Sequence, residues 1–285
     1  MTPSAYLPGF LRPGRRVRSE LIRPVDAFGF GLGFVWQVVA SIPLTLRRYR
    51  AETMRAVTSM TWGRGSLIVG GGTVPMMAVL GVAIGASVGI EAAATLDLLG
   101  LGSMTGIVSA FANTRELAPI AAGVGFAAQG GCRMTAEIGS MRISEEIDAL
   151  ESLGLQSVAF VVTTRVLAAA LAIVPTFLIA LILSYLSCSW VVTLLHKQPA
   201  GVYHHYFSQF ITSPDIWAAV AKVLVFSIAV ILVHSYHGFF AVGGPEGVGV
   251  ASGRAVRASF VLIVVLDMLL TLLFWGVDSA VEFTG

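Results

Sequence analysis

The chain has 285 residues, 56% of them hydrophobic and 12% charged, with a formal net charge of +2 and a mean hydropathy of +0.83. Soluble domains carry about 25% charged residues, so an ordinary soluble enzyme is excluded and no nucleic-acid partner is expected. Apolar runs of roughly 20 residues, enough to cross about 30 Å of hydrocarbon, recur along the chain and predict an all-α, polytopic membrane protein.

In chain order, residues 1–24 are a lead-in rich in Arg and Pro, with no short apolar segment and cleavage site, so it is expected to be retained and cytoplasmic. Basic residues flank the apolar run 25–46 at both ends, which predicts an interfacial helix, and 47–62 predicts a second, amphipathic one. Span one is 65–90, kinked by Gly70, Gly71, Gly72 and Pro75. Span two covers about 102–132, a polar and acidic piece runs over 133–156, and span three covers 157–187. A semi-polar loop (188–215), span four (216–241), a glycine-rich connector (242–257) and span five (258–277) complete the chain. The expected division is 1–64, lead-in and interfacial helices, and 65–285, a five-span domain.

The arginines give this scheme an orientation. With a cytoplasmic N-terminus, segments 1–64, 133–165 and 242–257 hold fifteen arginines, whereas the outer loops and tail hold Lys197 alone among basic residues. That asymmetry obeys the positive-inside rule and predicts an extracytoplasmic C-terminus.

Several patterns resemble chemistry. A phosphate-binding loop needs lysine after glycine, but the two lysines, Lys197 and Lys222, follow His196 and Ala221, so no nucleotide site is expected. The stretch "GASVG" (85–89) matches a serine-nucleophile pattern that requires a strand-to-helix turn. Gly81, Gly85 and Gly89 instead make a smooth helix face for close packing. An intramembrane hydrolase pairing Ser87 with His234 or His237 is the competing reading. His204 and His205 lack a convincing third metal ligand, and Cys132 and Cys188, expected near opposite membrane faces, are not expected to pair.

Arg115 and Glu116 carry charge into an apolar segment at a cost of about 2.5–3.5 kcal/mol each, so each needs a partner from another helix or a ligand. Adjacent residues lie about 100° apart on a helix and pair poorly with each other. A structural role and a polar lining for an amphiphile's headgroup both remain open, and Asp267 raises the same question. The acidic piece is better defined. Ser144 is the expected N-cap, Glu145 and Glu146 lie in the first turn where the dipole favours anions, and Gly154 ends a helix over 145–153. Ile143, Ile147 and Leu150 share its apolar stripe, while Glu145, Asp148 and Glu151 occupy other faces.

The segment "TRELAPIAAGVGFAAQGGCRMTAEIGSMRISEEIDALESLGL" and the tail pattern "GRAVRASFVLIVVLDMLLTLLF" resemble the MlaE/YrbE permeases, membrane subunits of MCE-type ABC lipid transporters. The "MRISEEIDALESLG" and "HYF" stretches are most similar to the B-type YrbE subunit of actinobacterial Mce systems. The resemblance implies a permease fold of five spans preceded by surface helices, with no enzymatic activity of its own. It implies a heterodimer with an A-type YrbE subunit, a cytoplasmic ABC ATPase dimer that binds ATP and Mg, and a hexamer of MCE proteins outside. The coupling helix maps to about 142–153, with Arg142, Ser144, Glu145, Glu146, Ile147, Asp148, Leu150 and Glu151 meeting the ATPase. Arg115 and Glu116 map to the lipid pocket. The cargo would be a fatty acid, mycolic-type lipid or sterol, moved inward. An ATP-independent secondary lipid transporter is the alternative, but it would need internal repeats that the sequence lacks.

Overall fold

The structure is a computed structural model that describes residues 12–63 and 72–276, residues 12–28 as backbone only. Gly70 and Gly71 of the expected kink, and the tail with Asp278 and Glu282, lie outside the described residues. All elements among the described residues are helices. Helix α1 (Arg12–Arg48) turns at Tyr49 into α2 (Arg50–Trp62), and α3 follows (Thr73–Leu98). A single helical run, α4, extends over 102–143 and contains π-turns at Ser109–Leu117 and Ala127–Gly131. The short α5 (Glu146–Ser152) leads to α6 (Val158–Leu195), which has π-turns at both ends. Helices α7 (Ala200–Phe210), α8 (Ser213–Phe239) and α9 (Gly244–Trp275) complete the fold.

Among the described residues, five helices are long and apolar enough to cross a membrane: Gly29–Arg48, α3, α6, α8 and α9. The number matches the sequence expectation, but the membership differs. The helix expected to be interfacial meets the criterion by length and composition. The expected span two is the π-interrupted central rod α4. Its polar end is not a loop, because 132–143 continues the same helix.

Three further expectations are corrected. The described part of span one is an unbroken helix, and Pro75 lies in its first turn, where a missing N–H costs nothing. The loop 188–215 is largely ordered as the end of α6 and as α7. The glycine-rich connector is helical from Gly244 onward, which leaves a tight turn in which Gly243 and Gly244 take φ of 92° and 68°. Only glycine reaches that left-handed region freely.

Helix α3 lies along α6 through the predicted glycine face. A Cβ on Gly81 would strike the carbonyl oxygen of Ala180, and one on Gly85 that of Ser184, so the backbones touch. Ser187 Oγ, donating to Val82 O at 2.8 Å, ties the same pair. The main core lies between α4, α6 and α8 and includes Phe126, Ile138, Phe177, Phe226 and Ile231. Against its edge α1 buries Phe34 and Val38 and leaves Phe30 and Trp36 exposed. Thr45 Oγ1 donates to Ala159 O at 3.2 Å across that contact. Such an arrangement suits a helix with protein on one side and hydrocarbon on the other.

Candidate functional site

Arg115 and Glu116 sit in the first π-turn of α4. Its position has a local cause in the sequence. Pro119 offers no N–H to the carbonyl four residues earlier, at Arg115, so an α-helical bond is impossible there. The backbone shifts to wider turns, with Ala118 N–H donating to Asn113 O, five residues back. The Arg115 carbonyl accepts instead from Lys222 Nζ of α8 at 2.7 Å.

From this turn a buried polar cluster grows across three helices. Arg115 Nε meets Asp215 Oδ1 at 3.1 Å, and its guanidinium stacks over Phe111 at 4.3 Å. Asp215 also accepts from Thr212 Oγ1 and from the Trp275 indole, both at 2.8 Å. Glu116 Oε2 lies 3.3 Å from Lys222 Nζ, and its Oε1 accepts from Thr271 Oγ1 at 2.8 Å. Lys222 lies 2.6 Å from Asp267 Oδ1. The lysine is fully buried, while Glu116 keeps 36% of its side chain exposed. An unpaired ammonium at that depth would be prohibitive, so the carboxylates are obligatory partners.

The structure thus brings together Arg115, Glu116 and Asp267, which the sequence reading kept apart. It adds Lys222, Asp215, Thr271 and Trp275, which that reading did not assign to the site. A lysine inside an apolar run, with an aspartate inside another, was the available signal. What the sequence hides is which spans adjoin.

The second candidate element, α5, folds back under α4. Ser144 is not its N-cap. That hydroxyl donates to Ser140 O at 2.9 Å at the end of α4, and Glu145 caps α5 with φ of 60°. The two helices follow so closely that one serine faces both ends: its hydroxyl meets the upstream carbonyl and the Glu146 carboxylate at 3.0 Å, and no backbone N–H of α5. The predicted stop holds: Gly154 N–H reaches Glu151 O and Leu155 N–H reaches Leu150 O, with Gly154 at φ 73°. Ile147 is fully buried, Leu150 half-buried and Ile143 37% exposed, while Glu145, Glu146, Asp148 and Glu151 face water. Arg142 straps Asp148 at 2.6 Å, and Glu151 accepts from Ser157 at 2.5 Å, which joins α5 to α4 and to the start of α6. Higher up, Arg165 of α6 meets Glu137 of α4 at 2.9 Å.

The remaining candidates separate. Ser87 donates to Ala83 O of its own helix on an exposed face. His234 is buried against Thr135 Oγ1 at 2.7 Å, and His237 bonds Val233 O at 2.9 Å, so neither pairs with Ser87. His204 and His205 are exposed on α7, whereas Tyr203 is buried and donates to Ser109 Oγ at 2.9 Å. Burial raises the Tyr203 phenol above its ordinary range and keeps it neutral. Both cysteines are free. No cluster of three potential metal ligands occurs among the described residues.

Residues 63–273 match the family described as Permease MlaE. The chain is an MlaE-family permease. Over 211 residues, 74% of this permease and 82% of the relative, it is 28% identical to a "Probable ABC transporter permease protein" of Rickettsia bellii. A similarly named protein of Synechocystis is 28% identical over 188 residues, 66% of this permease and 72% of that protein. The protein TRIGALACTOSYLDIACYLGLYCEROL 1, chloroplastic, of Arabidopsis thaliana is 29% identical over 177 residues, 62% of this permease and 51% of that chain. The permease is therefore a multi-pass ABC transporter subunit, and its family implies an ATPase partner.

Proposed function

We propose that this permease moves lipid inward, from extracytoplasmic MCE proteins to the membrane, as the B-type half of a heterodimer with an A-type YrbE subunit. The observation that carries this reading is the continuity of α4. The helix holds Arg142 at the α5 end and Arg115 in the charged cluster, 27 residues apart by numbering. At 1.5 Å per residue they lie about 40 Å apart on one rod. The lipid name of the Arabidopsis relative favours lipid cargo.

ATP and Mg are taken to act on the partner ATPase, and α5 is its seat. Motion of α5 reaches α4 through Arg142–Asp148 and α6 through Glu151–Ser157. Both cargo-site charges hold internal partners in this conformation. A headgroup gains access to Arg115 and Glu116 when a second conformation loosens those partners, and transport arises from the affinity difference between the two states. The fifteen arginines of the α5-side segments favour a cytoplasmic N-terminus.

The test is lipid transfer and ATP turnover in the reconstituted assembly. Reversing Glu145 and Glu146 to lysine is expected to lose ATPase co-purification and transfer while the fold persists. Unchanged co-purification would reject the docking role. Arg115→Ala with Glu116→Ala is expected to reduce transfer with assembly intact, and normal transfer would leave the pair structural.

A further inference from the structure

At the α5 end of the bundle, two adjoining cavities share Tyr236 and His237. One, about 390 Å³, is an apolar slot between α1, α8 and α9, with Leu32, Val35, Leu232 and Val233 among its walls. The other, about 570 Å³, opens where α8 turns into α9 and carries Glu246 and Arg254. Both volumes fall within the roughly 300–1,000 Å³ of ordinary ligand sites. His237 lies fifteen residues beyond Lys222 on α8, about 22 Å along its axis, so this feature is separate from the charged cluster.

The walls are stiff. Phe34 packs edge-on against Tyr236 at 5.5 Å and Phe240 at 5.8 Å, which fixes α1 against the end of α8. His237 commits Nδ1 to the Val233 carbonyl at 2.9 Å. Apolar walls exclude a polar solute from the slot, and among the described residues the mouth offers one guanidinium and one carboxylate. An occupant must therefore be amphiphilic, with an apolar chain and a head that satisfies both signs.

We propose that slot and mouth together bind a zwitterionic phospholipid, with an acyl chain between α1, α8 and α9. The phosphate meets Arg254, whose planar fork suits it, and the ammonium meets Glu246. A purely anionic head would leave Glu246 opposed. Aromatic residues such as Tyr236 concentrate where chain meets headgroup. The site goes beyond the transport reading and requires neither the cargo role of Arg115 nor the coupling role of α5.

The test is binding, so failure of the transport reading leaves it untouched. The assembled protein is placed in non-ionic detergent micelles containing phosphatidylethanolamine with a photoreactive acyl chain, irradiated, and mapped by peptide mass spectrometry. Labelling is expected to concentrate several-fold on peptides carrying Val35, Leu232 and Val233 over those carrying the exposed Leu171 and Ile182 of α6. Leu232→Trp, which fills the slot, is expected to remove that excess and leave Leu171 labelling unchanged. Arg254→Gln is expected to lower it about tenfold, the loss of one charge-assisted hydrogen bond. Labelling equal to that at Leu171 would mean annular lipid only and overturn the proposal. Stronger competition by phosphatidylglycerol than by phosphatidylethanolamine would overturn the pairing of both charges. A photoreactive residue at 232 that captures polypeptide instead of lipid would also sink it.

Discussion

Lys222 shows how one residue can organise a site that no short motif describes. It pairs with both Glu116 and Asp267 and also satisfies the Arg115 carbonyl that Pro119 leaves without a helical donor. Removing one partner of a buried charge pair costs about 3–5 kcal/mol, because the other charge is stranded. Lys222→Met is therefore expected to lower stability in detergent by that amount. Lys222→Met with Asp267→Leu is expected to recover part of it, since one stranded carboxylate is gone. Thermal or denaturant unfolding of the purified protein measures both, and a single variant within about 1 kcal/mol of the parent would contradict the obligatory pairing. The sequence disclosed that Arg115, Glu116 and Asp267 needed partners, because charge in an apolar run always does. It could not disclose which partners. Lys222 and Glu116 are 106 positions apart, and hydrophobic periodicity says nothing about which spans become neighbours.

At the scale of elements, the same glycine content has opposite meanings in α3 and α9. Gly85 touches the backbone of Ser184, so Gly85→Leu is expected to push α3 off α6 and cost about 1–3 kcal/mol or more. Gly253 in α9 has open space around its Cβ position, and Gly253→Ala is expected to stabilise by about 0.5–1 kcal/mol through reduced chain entropy. Parallel melting curves of the two variants decide it: shifts of the same sign would refute the contrast. The four-residue spacing made the α3 face readable from sequence. The α9 glycines read as a connector because glycine is a poor helix former in water, whereas spanning helices tolerate it. Helix α5 was readable in its acidic surface and its glycine stop, and misread at its start. A capping serine identifies a helix boundary without saying which of two abutting helices it serves. Gly154→Ala is expected to cost about 1–2 kcal/mol at its left-handed position and to fray the end of α5, seen as faster amide exchange at Leu155.

Across the whole molecule, the transport reading has α4 carry motion from the α5 end to the charged cluster, with α6 braced beside it. Their brace is the ion pair between Glu137 and Arg165, and Arg165 is nearly buried and also donates to its own helix at Val161 O. Glu137→Ala leaves the guanidinium buried with that single carbonyl and Met141 Sδ nearby, so the two helices lose their charged link. Under the transport reading, ATP turnover should persist while lipid moved per ATP falls, because the seat at α5 is intact and the transmission is not. Exchanging the pair, with Glu137→Arg and Arg165→Glu, should restore part of the yield, since the attraction survives the swap. The ratio of transferred lipid to hydrolysed ATP in proteoliposomes separates this from simple unfolding, which lowers both together. An unchanged ratio in Glu137→Ala would mean that α4 carries force without α6, and the single rod would then have to act alone over its length.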